Sequence, residues 1–217
     1  MAITREEING SLAALKTALQ ASGLFNSVTL DNDSTPTLLT CKDADDNTLF
    51  TAGVSGTSWT FTVYKNDSTT VSVQGTATTA SPVYCYKVGA DSAVIQVPNN
   101  LFIIISKTNA GGVGFALPTG FNSTANKGSL KVACWCDEAT LTTDLTFTSS
   151  SNAMVGNHTQ FVEIPMHGTY EQNVYLPSAY YMPIAQVGLR GTVQEIMGEG
   201  GTYLTNGFVA VLDRASE

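Results

Sequence analysis

"SWTFTVYK", Ser58 to Lys65, alternates large apolar and polar residues without a break. Side chains on a strand point to opposite faces in turn, so this spacing puts Trp59, Phe61 and Val63 on one face and Thr60, Thr62 and Tyr64 on the other. That is the signature of a half-buried antiparallel strand. The pattern spreads in both directions. Upstream, "SVTLD", "TLLTCK" and "NTLFTAGV" are separated by the turn-rich "NDSTP", "DADD" and "SGT", and "TVSVQG" follows after "NDST".

From Ser81 onward the same reading marks "PVYCYKV", "AVIQV", "LFIIISK", "GVGFAL", "LKVACWC", "DLTFTS" and "QFVEIP" as strands, with Asn99-Asn100 as a tight turn. "GGVGFALPTGFNSTANKG" reads as a strand followed by a long surface loop, the segment expected to be mobile. Residues 166–186, "MHGTYEQNVYLPSAYYMPIAQ", show no period, and Pro177 and Pro183 are unsuited to a central strand. They read as loops over a core or as a contact surface for a neighbouring subunit, because tyrosine offers an apolar ring and a polar tip.

The first residues differ in character. Thr4 and Glu7 have capping-box spacing, Ile3 and Ile8 are placed as a hydrophobic staple, and Ile8, Leu12, Leu15 and Leu19 form an apolar stripe ending before Gly23. The expectation is an amphipathic helix of about five turns from Arg5, stopped by a left-handed glycine. The fold class is therefore mainly β, of α+β type. An N-terminal amphipathic helix packs on sandwich-like antiparallel sheets, and the chain ends in a β-meander. One domain over residues 1–217 is the first choice. The alternative divides the chain into 1–78, a helix plus a small β unit, and 79–217, a larger sandwich-like unit.

At 217 residues the chain can bury a core of its own. Charged residues make up only 13 % and the net charge is -8, with no cluster of Lys or Arg. Binding to a phosphate backbone or an anionic membrane needs such a cluster, so neither nucleic acid nor membrane is an expected partner. The longest apolar run, "LFIIIS", is far shorter than a membrane-spanning helix, and "MAITREEING" lacks the basic and apolar regions of a secretory signal. The four cysteines, Cys41, Cys85, Cys134 and Cys136, read as reduced and mostly buried thiols.

Several constellations approach a chemical motif and fall short. Asp43, Asp45 and Asn47 begin like a calcium loop, but Thr48 stands where glycine is needed and Val54 where glutamate is needed. The expected structure is a polar hairpin turn. Cys134 and Cys136 share one side of a strand, yet zinc wants four ligands and only His158 and His167 remain to recruit. Neither "GVSGT" nor "VACWC" has nucleophile spacing. Glu163, Glu171, Asp137, Glu138 and Asp144 supply carboxylates for a glycosidase pair without lying in any local motif.

The closing "IMGEGGTYLTNGFVAVLDRASE" has glycines without the lysine or helix that a phosphate loop requires. They read as turn punctuation: "GEGG" reverses one hairpin and Asn206-Gly207 makes a type I′ turn into "FVAVLD". Phe208, Ala210 and Leu212 fall on one face of that strand and Val209 and Val211 on the other. A strand apolar on both faces belongs in the centre of a sheet, covered by another sheet or another subunit.

The order of a short helix, Thr- and Gly-rich strands, the segment "YLPSAYYMP" and the terminal "GTYLTNGFVAVLD" resembles small virion structural proteins of tailed bacteriophages and prophages. The resemblance implies a component of head, neck, tail or baseplate. Such a protein is made in the bacterial cytoplasm, resides in the virion, has no enzymatic activity and no cofactor or metal, and contacts itself as a homo-oligomer or other virion proteins. The residues expected to make those contacts are Tyr170, Tyr175, Tyr180, Tyr181 and Met182, with Ile8, Leu12, Leu15 and Leu19 docking internally or on a neighbour. A carbohydrate-binding or host-attachment module using the same tyrosines and Trp135 is the alternative. A hydrolase is a third, since the fold class does not forbid one.

Overall fold

The computed structural model describes residues 4–7, 11–64, 70–76, 83–97, 101–109, 111–122, 127–135, 142–148, 162–167, 173–181, 194–198, 200–205 and 209–215, with backbone only for part of the strands. In chain order the elements are β1 (Thr4–Glu7), α1 (Leu12–Ser22), β2 (Ser27–Leu30), β3 (Leu38–Lys42), β4 (Thr48–Ser55), β5 (Ser58–Tyr64), β6 (Thr70–Thr76), β7 (Tyr84–Val88) and β8 (Ser92–Val97). They continue with β9 (Leu101–Lys107), β10 (Val113–Asn122), β11 (Lys127–Trp135), β12 (Thr142–Thr148), β13 (Val162–His167), β14 (Asn173–Tyr181), β15 (Gln194–Gly198), β16 (Gly201–Thr205) and β17 (Val209–Ala215).

These strands form three antiparallel sheets. An N-terminal sheet has the order β2-β3-β4-β5-β6, a middle sheet β1-β7-β8-β9-β10-β11-β12, and a C-terminal sheet β13-β14-β17-β16-β15. Most neighbours are consecutive in sequence because each short turn returns the chain beside the strand it left. Gly56, with φ +60°, makes such a return between β4 and β5, where Ser55 pairs with Ser58.

The alternation in β5 is realised as expected: Trp59, Phe61 and Val63 are buried while Thr60, Thr62 and Tyr64 are only partly covered. The rings of Trp59, Phe61, Phe50, Phe115 and Phe25 form a stacked series with neighbouring centroids 5.7–6.4 Å apart. Phe115 belongs to the middle sheet, so this series ties the two sheets together. The same apolar cluster contains Leu12, Leu15 and Leu19 of α1, Leu39 and Cys41 of β3, and Cys85, Ile95, Ile103 and Ile105 of the middle sheet. It takes residues from both sides of position 78.

The middle sheet is buried on its other face too. Val94, Ile104 and Ala116, which pair with one another across β8, β9 and β10, are fully buried, as is Phe102. Strands β14 and β17 of the C-terminal sheet approach β9 and β7 from that side, and the backbone N–H of Gly89, in the β7–β8 turn, donates to the Asp213 carboxylate at 3.3 Å. Adjacent residues Ile103, Ile104 and Ile105 therefore enter different interfaces, which explains why this strand reads as a continuous apolar run.

The helix differs from the sequence expectation at its start. Thr4–Glu7 is not a capping box but strand β1, paired with β7 from Thr4↔Lys87 to Glu7↔Tyr84. Helix α1 begins at Leu12, capped by Ser11, whose Oγ accepts from the Ala14 N–H at 3.3 Å. Gly10 interrupts the helical pattern just before this second capping residue, and pairing with the edge of β7 satisfies the backbone of residues 4–7 better than one further turn of helix. The stop is as expected, with Gly23 at φ +69°.

Two segments read as irregular are strands. Strand β10 runs to Asn122, its pairing with β11 shifting between Pro118 and Gly120, so the long loop expected there gives way to a hairpin arm. In residues 166–186, the stretch Asn173–Tyr181 is β14, second in its sheet between β13 and β17. Pro177 is tolerated because Glu163 pairs with Tyr180 while Ile164 pairs with Leu176, leaving 177–179 as an irregularity. The ladder with β17 starts only at Ala179. A residue without an N–H costs little where neither neighbour asks for one.

The last strand lies in the centre of the C-terminal sheet. Val209, Ala210 and Val211 of β17 are buried, and β14 and β16 flank them. Gly198 pairs with Gly201, with Gly200 at φ +89°, so "GEGG" is the expected reversal. Asn206-Gly207 lies outside the described residues. A two-residue turn there would pair Thr205 with Phe208, whereas Thr205 pairs with Ala210, a register offset by two residues.

Candidate functional site

The two faces of the C-terminal sheet differ among the described residues: the first is buried at its centre and exposed at Glu195 on the edge strand, and the second is half-buried. Register places Leu204, Val211 and Ala179 together on the first. On the second, Tyr203 lies opposite Leu212 and Ile196, and Ala210 lies opposite Tyr180. These five residues form an apolar cluster of their own, with Tyr180, Ile196 and Leu212 only partly covered.

Within this cluster, which includes Ala210 of β17, Tyr180 and Tyr203 meet edge to face, centroids 5.7 Å apart at 81°. The Tyr180 hydroxyl donates to the Pro177 carbonyl at 2.9 Å, so the bulge that accommodates the proline also holds the tyrosine. At the hairpin tip beyond, Met197 is 78 % exposed, and Thr202 Oγ1 lies 3.3 Å from its sulfur.

A second surface lies at the other end of the chain. Thr29 pairs with Thr40, Thr40 with Thr51, Thr51 with Thr62 and Thr62 with Ser72, so a hydroxyl row crosses all five strands of the N-terminal sheet on its outer face. Thr62 and Ser72 hydroxyls are 2.8 Å apart, and Thr51 Oγ1 donates to Tyr64 Oη at 3.4 Å. Lys42, on this face, is paired with Asp46 at 2.8 Å. The row was legible in principle, since positions 29, 40, 51, 62 and 72 recur in steps of 11, 11, 11 and 10 residues; only the hairpin registers convert that spacing into adjacency.

Of the residues expected to make subunit contacts, Tyr180 lies on the half-buried C-terminal face. Tyr175 and Tyr181 lie in β14, opposite Pro165 and Val209. Tyr170, Met182 and Ile8 lie outside the described residues. Leu12, Leu15 and Leu19 are 0–2 % exposed, packed within the chain's own core. Of the two roles considered for that stripe the internal one applies, because sheet strands from β2, β3 and β7 cover it.

The acidic turn resolves as a turn. Asp43 Oδ1 accepts the N–H groups of Asp45 and Asn47 at 3.0 and 2.8 Å, and Oδ2 accepts from Asn47 Nδ2 at 3.0 Å. Its oxygens are thus turned onto their own loop. Asp31 is similarly engaged, by the Thr37 hydroxyl at 2.6 Å and by the N–H groups of Leu38 and Thr37. Those bonds, the Thr37 hydroxyl first, lower its pKa to about 2.

Cys41 and Cys85 are both buried. Burial, and next the neighbouring Cys85, push the Cys41 thiol far above its ordinary pKa, which keeps it protonated and unreactive. Among the described residues no group of three or more His, Cys, Asp or Glu is placed to hold a metal, and no helix is long and apolar enough to cross a membrane. Cys136, His158, Asp137, Glu138 and Glu171 lie outside the described residues. Cys134 and Trp135 belong to β11, Asp144 to β12, and Glu163 and His167 to β13.

The class defined by these observations is a mainly β protein of three antiparallel sheets with one N-terminal helix. No family model, no curated protein and no solved structure matches the chain.

Proposed function

We propose that this protein is a non-enzymatic structural subunit of a tailed-phage particle, acting at head, neck, tail or baseplate through contacts with copies of itself and with other virion proteins. The observation that carries the reading is the half-buried cluster of Tyr180, Tyr203, Ile196 and Leu212 on a sheet whose opposite face buries Ala179, Leu204 and Val211. Aromatic and aliphatic groups on rigid strands lose little entropy on docking, and tyrosine is enriched at protein interfaces. The acidic chain, poor in charge clusters, suits a component packed in many copies.

Light scattering on the purified protein tests this. A defined oligomer is expected, or a stoichiometric complex with a neighbouring virion protein, weakened by Tyr180→Ala. A strict monomer that binds no virion protein overturns it.

The hydroxyl row favours a second reading, a glycan-binding or host-attachment module. Its uncharged hydroxyls, with Tyr64 beside them, match the hydrogen-bonding pattern of a neutral sugar chain. A glycan array with binding lost in Tyr64→Ala but kept in Tyr180→Ala would favour it over assembly.

A further inference from the structure

Among the described residues, three sheets present six edge strands: β1 and β12, β13 and β15, β2 and β6. An edge leaves a row of backbone N–H and C=O groups unpaired, and proteins blunt such edges by shortness, charge or proline. Five of the six carry such a device. Strands β1 and β2 have only four residues each. Asp144 lies in β12, Glu163 and Pro165 in β13, and Glu195 in the five-residue β15.

Strand β6, "TVSVQGT", has none of these. It is seven residues long, without charge and without proline. It pairs with β5 over its whole length, from Thr70↔Tyr64 to Thr76↔Ser58, with no register shift that would mark a bulge. Thr70, Ser72, Gln74 and Thr76 are exposed.

We infer that β6 is an interface strand that pairs antiparallel with β6 of a second copy, joining two N-terminal sheets into one across a two-fold axis; this rests on the reading of the protein as a self-associating subunit. The sequence is compatible with itself in that arrangement. A two-fold axis through Val73 sets Thr70 opposite Thr76 of the second copy and Ser72 opposite its Gln74, hydroxyl and amide groups that can hydrogen-bond across the seam. No charged pair is opposed, because β6 contains no charge. An isologous contact of this kind closes on itself, where unblocked edges of other geometry would propagate. The hydroxyl row that ends at Ser72 would continue into the second copy.

The test compares the wild-type protein with the double variant Ser72→Lys, Gln74→Lys, which sets ammonium groups opposite each other across the seam while leaving the buried face of β5 untouched. Light scattering should give an even multiple of the chain mass for the wild type and half that mass for the variant, with unchanged circular dichroism. Amide hydrogen exchange over residues 70–76 of the wild type should slow as protein concentration rises, a readout that needs no substitution. A folded variant that keeps the wild-type mass, or exchange independent of concentration, overturns the inference. If Tyr180→Ala dissociates the particle while the lysine variant does not, assembly stands and β6 is not its seam. A wild type that is monomeric and binds no virion protein defeats both.

Discussion

The N-terminal and middle sheets are both antiparallel, yet they are written in different alphabets. In β5 every second residue is buried, Trp59, Phe61 and Val63, because one face of the N-terminal sheet lies on the core and the other carries the hydroxyl row. In β9 Phe102, Ile103, Ile104, Ile105 and Ser106 are all buried, because sheets pack on both faces. The comparison teaches that strand composition reports the number of covered faces, not the kind of sheet.

The strongest way to break that comparison is to truncate neighbours in each strand. Ile103→Ala and Ile104→Ala should each cost about 2–5 kcal/mol by urea denaturation, since each leaves a cavity in a different interface. In β5 the effects should alternate: Phe61→Ala costs about 3–5 kcal/mol and Thr62→Ala within about 0.5 kcal/mol. Equal costs at Phe61 and Thr62 would show that both faces of the N-terminal sheet are covered, and a negligible cost at Ile104 would show that the second face of the middle sheet is not.

A more local substitution asks how closely the middle and C-terminal sheets are joined. Gly89 has φ +61°, and a Cβ there would sit 3.1 Å from the Leu212 carbonyl oxygen. Gly89→Ala should cost about 1–3 kcal/mol from the left-handed backbone and the close approach together. A neutral result would mean the turn can move away from β17.

Smaller again is the helix cap. Ser11→Ala should cost about 1 kcal/mol, while Thr4→Ala, in a strand rather than at a capping position, should not show a cap's loss in helix content. The smallest effect belongs to Asp31, which is fully exposed. Its folded pKa, near 2, lies below that of an unfolded aspartate, so its contribution is present above about pH 4 and fades as pH falls through 2. Asp31→Asn should remove that contribution, lowering stability slightly near neutrality, leaving it unchanged below about pH 2 and flattening the profile between about pH 4 and 2.

Strand positions were readable where periodicity and turn chemistry agreed, as in β5, β9 and the Gly198–Gly201 reversal. The helix start was not, because Thr4 and Ser11 both satisfy the local rule for a cap, and the choice was made by the free edge of β7. Strand β14 was hidden because Pro177 forbids an ordinary internal strand, and nothing local announces that the opposite strand bends around it. In the candidate contact surface, Tyr180 was legible as an aromatic in an uncharged segment, whereas its partners Tyr203, Ile196 and Leu212 come from other strands and join it only through register.

By itself, then, the sequence determined that the protein is mainly β with one N-terminal helix, which residues point inward along strands such as β5, and that β17 needs cover on both faces. Those properties follow from side-chain alternation, turn preferences and hydrophobicity, all local to a few residues. Tertiary structure alone decided that the leucine stripe of α1 faces inward, that Thr29, Thr40, Thr51, Thr62 and Ser72 stand in one row, and that among the described strands β6 is an edge without charge, proline or a bulge. Each of these depends on which strands become neighbours and in what register, and pairing between distant segments is set by how the whole chain buries its apolar surface.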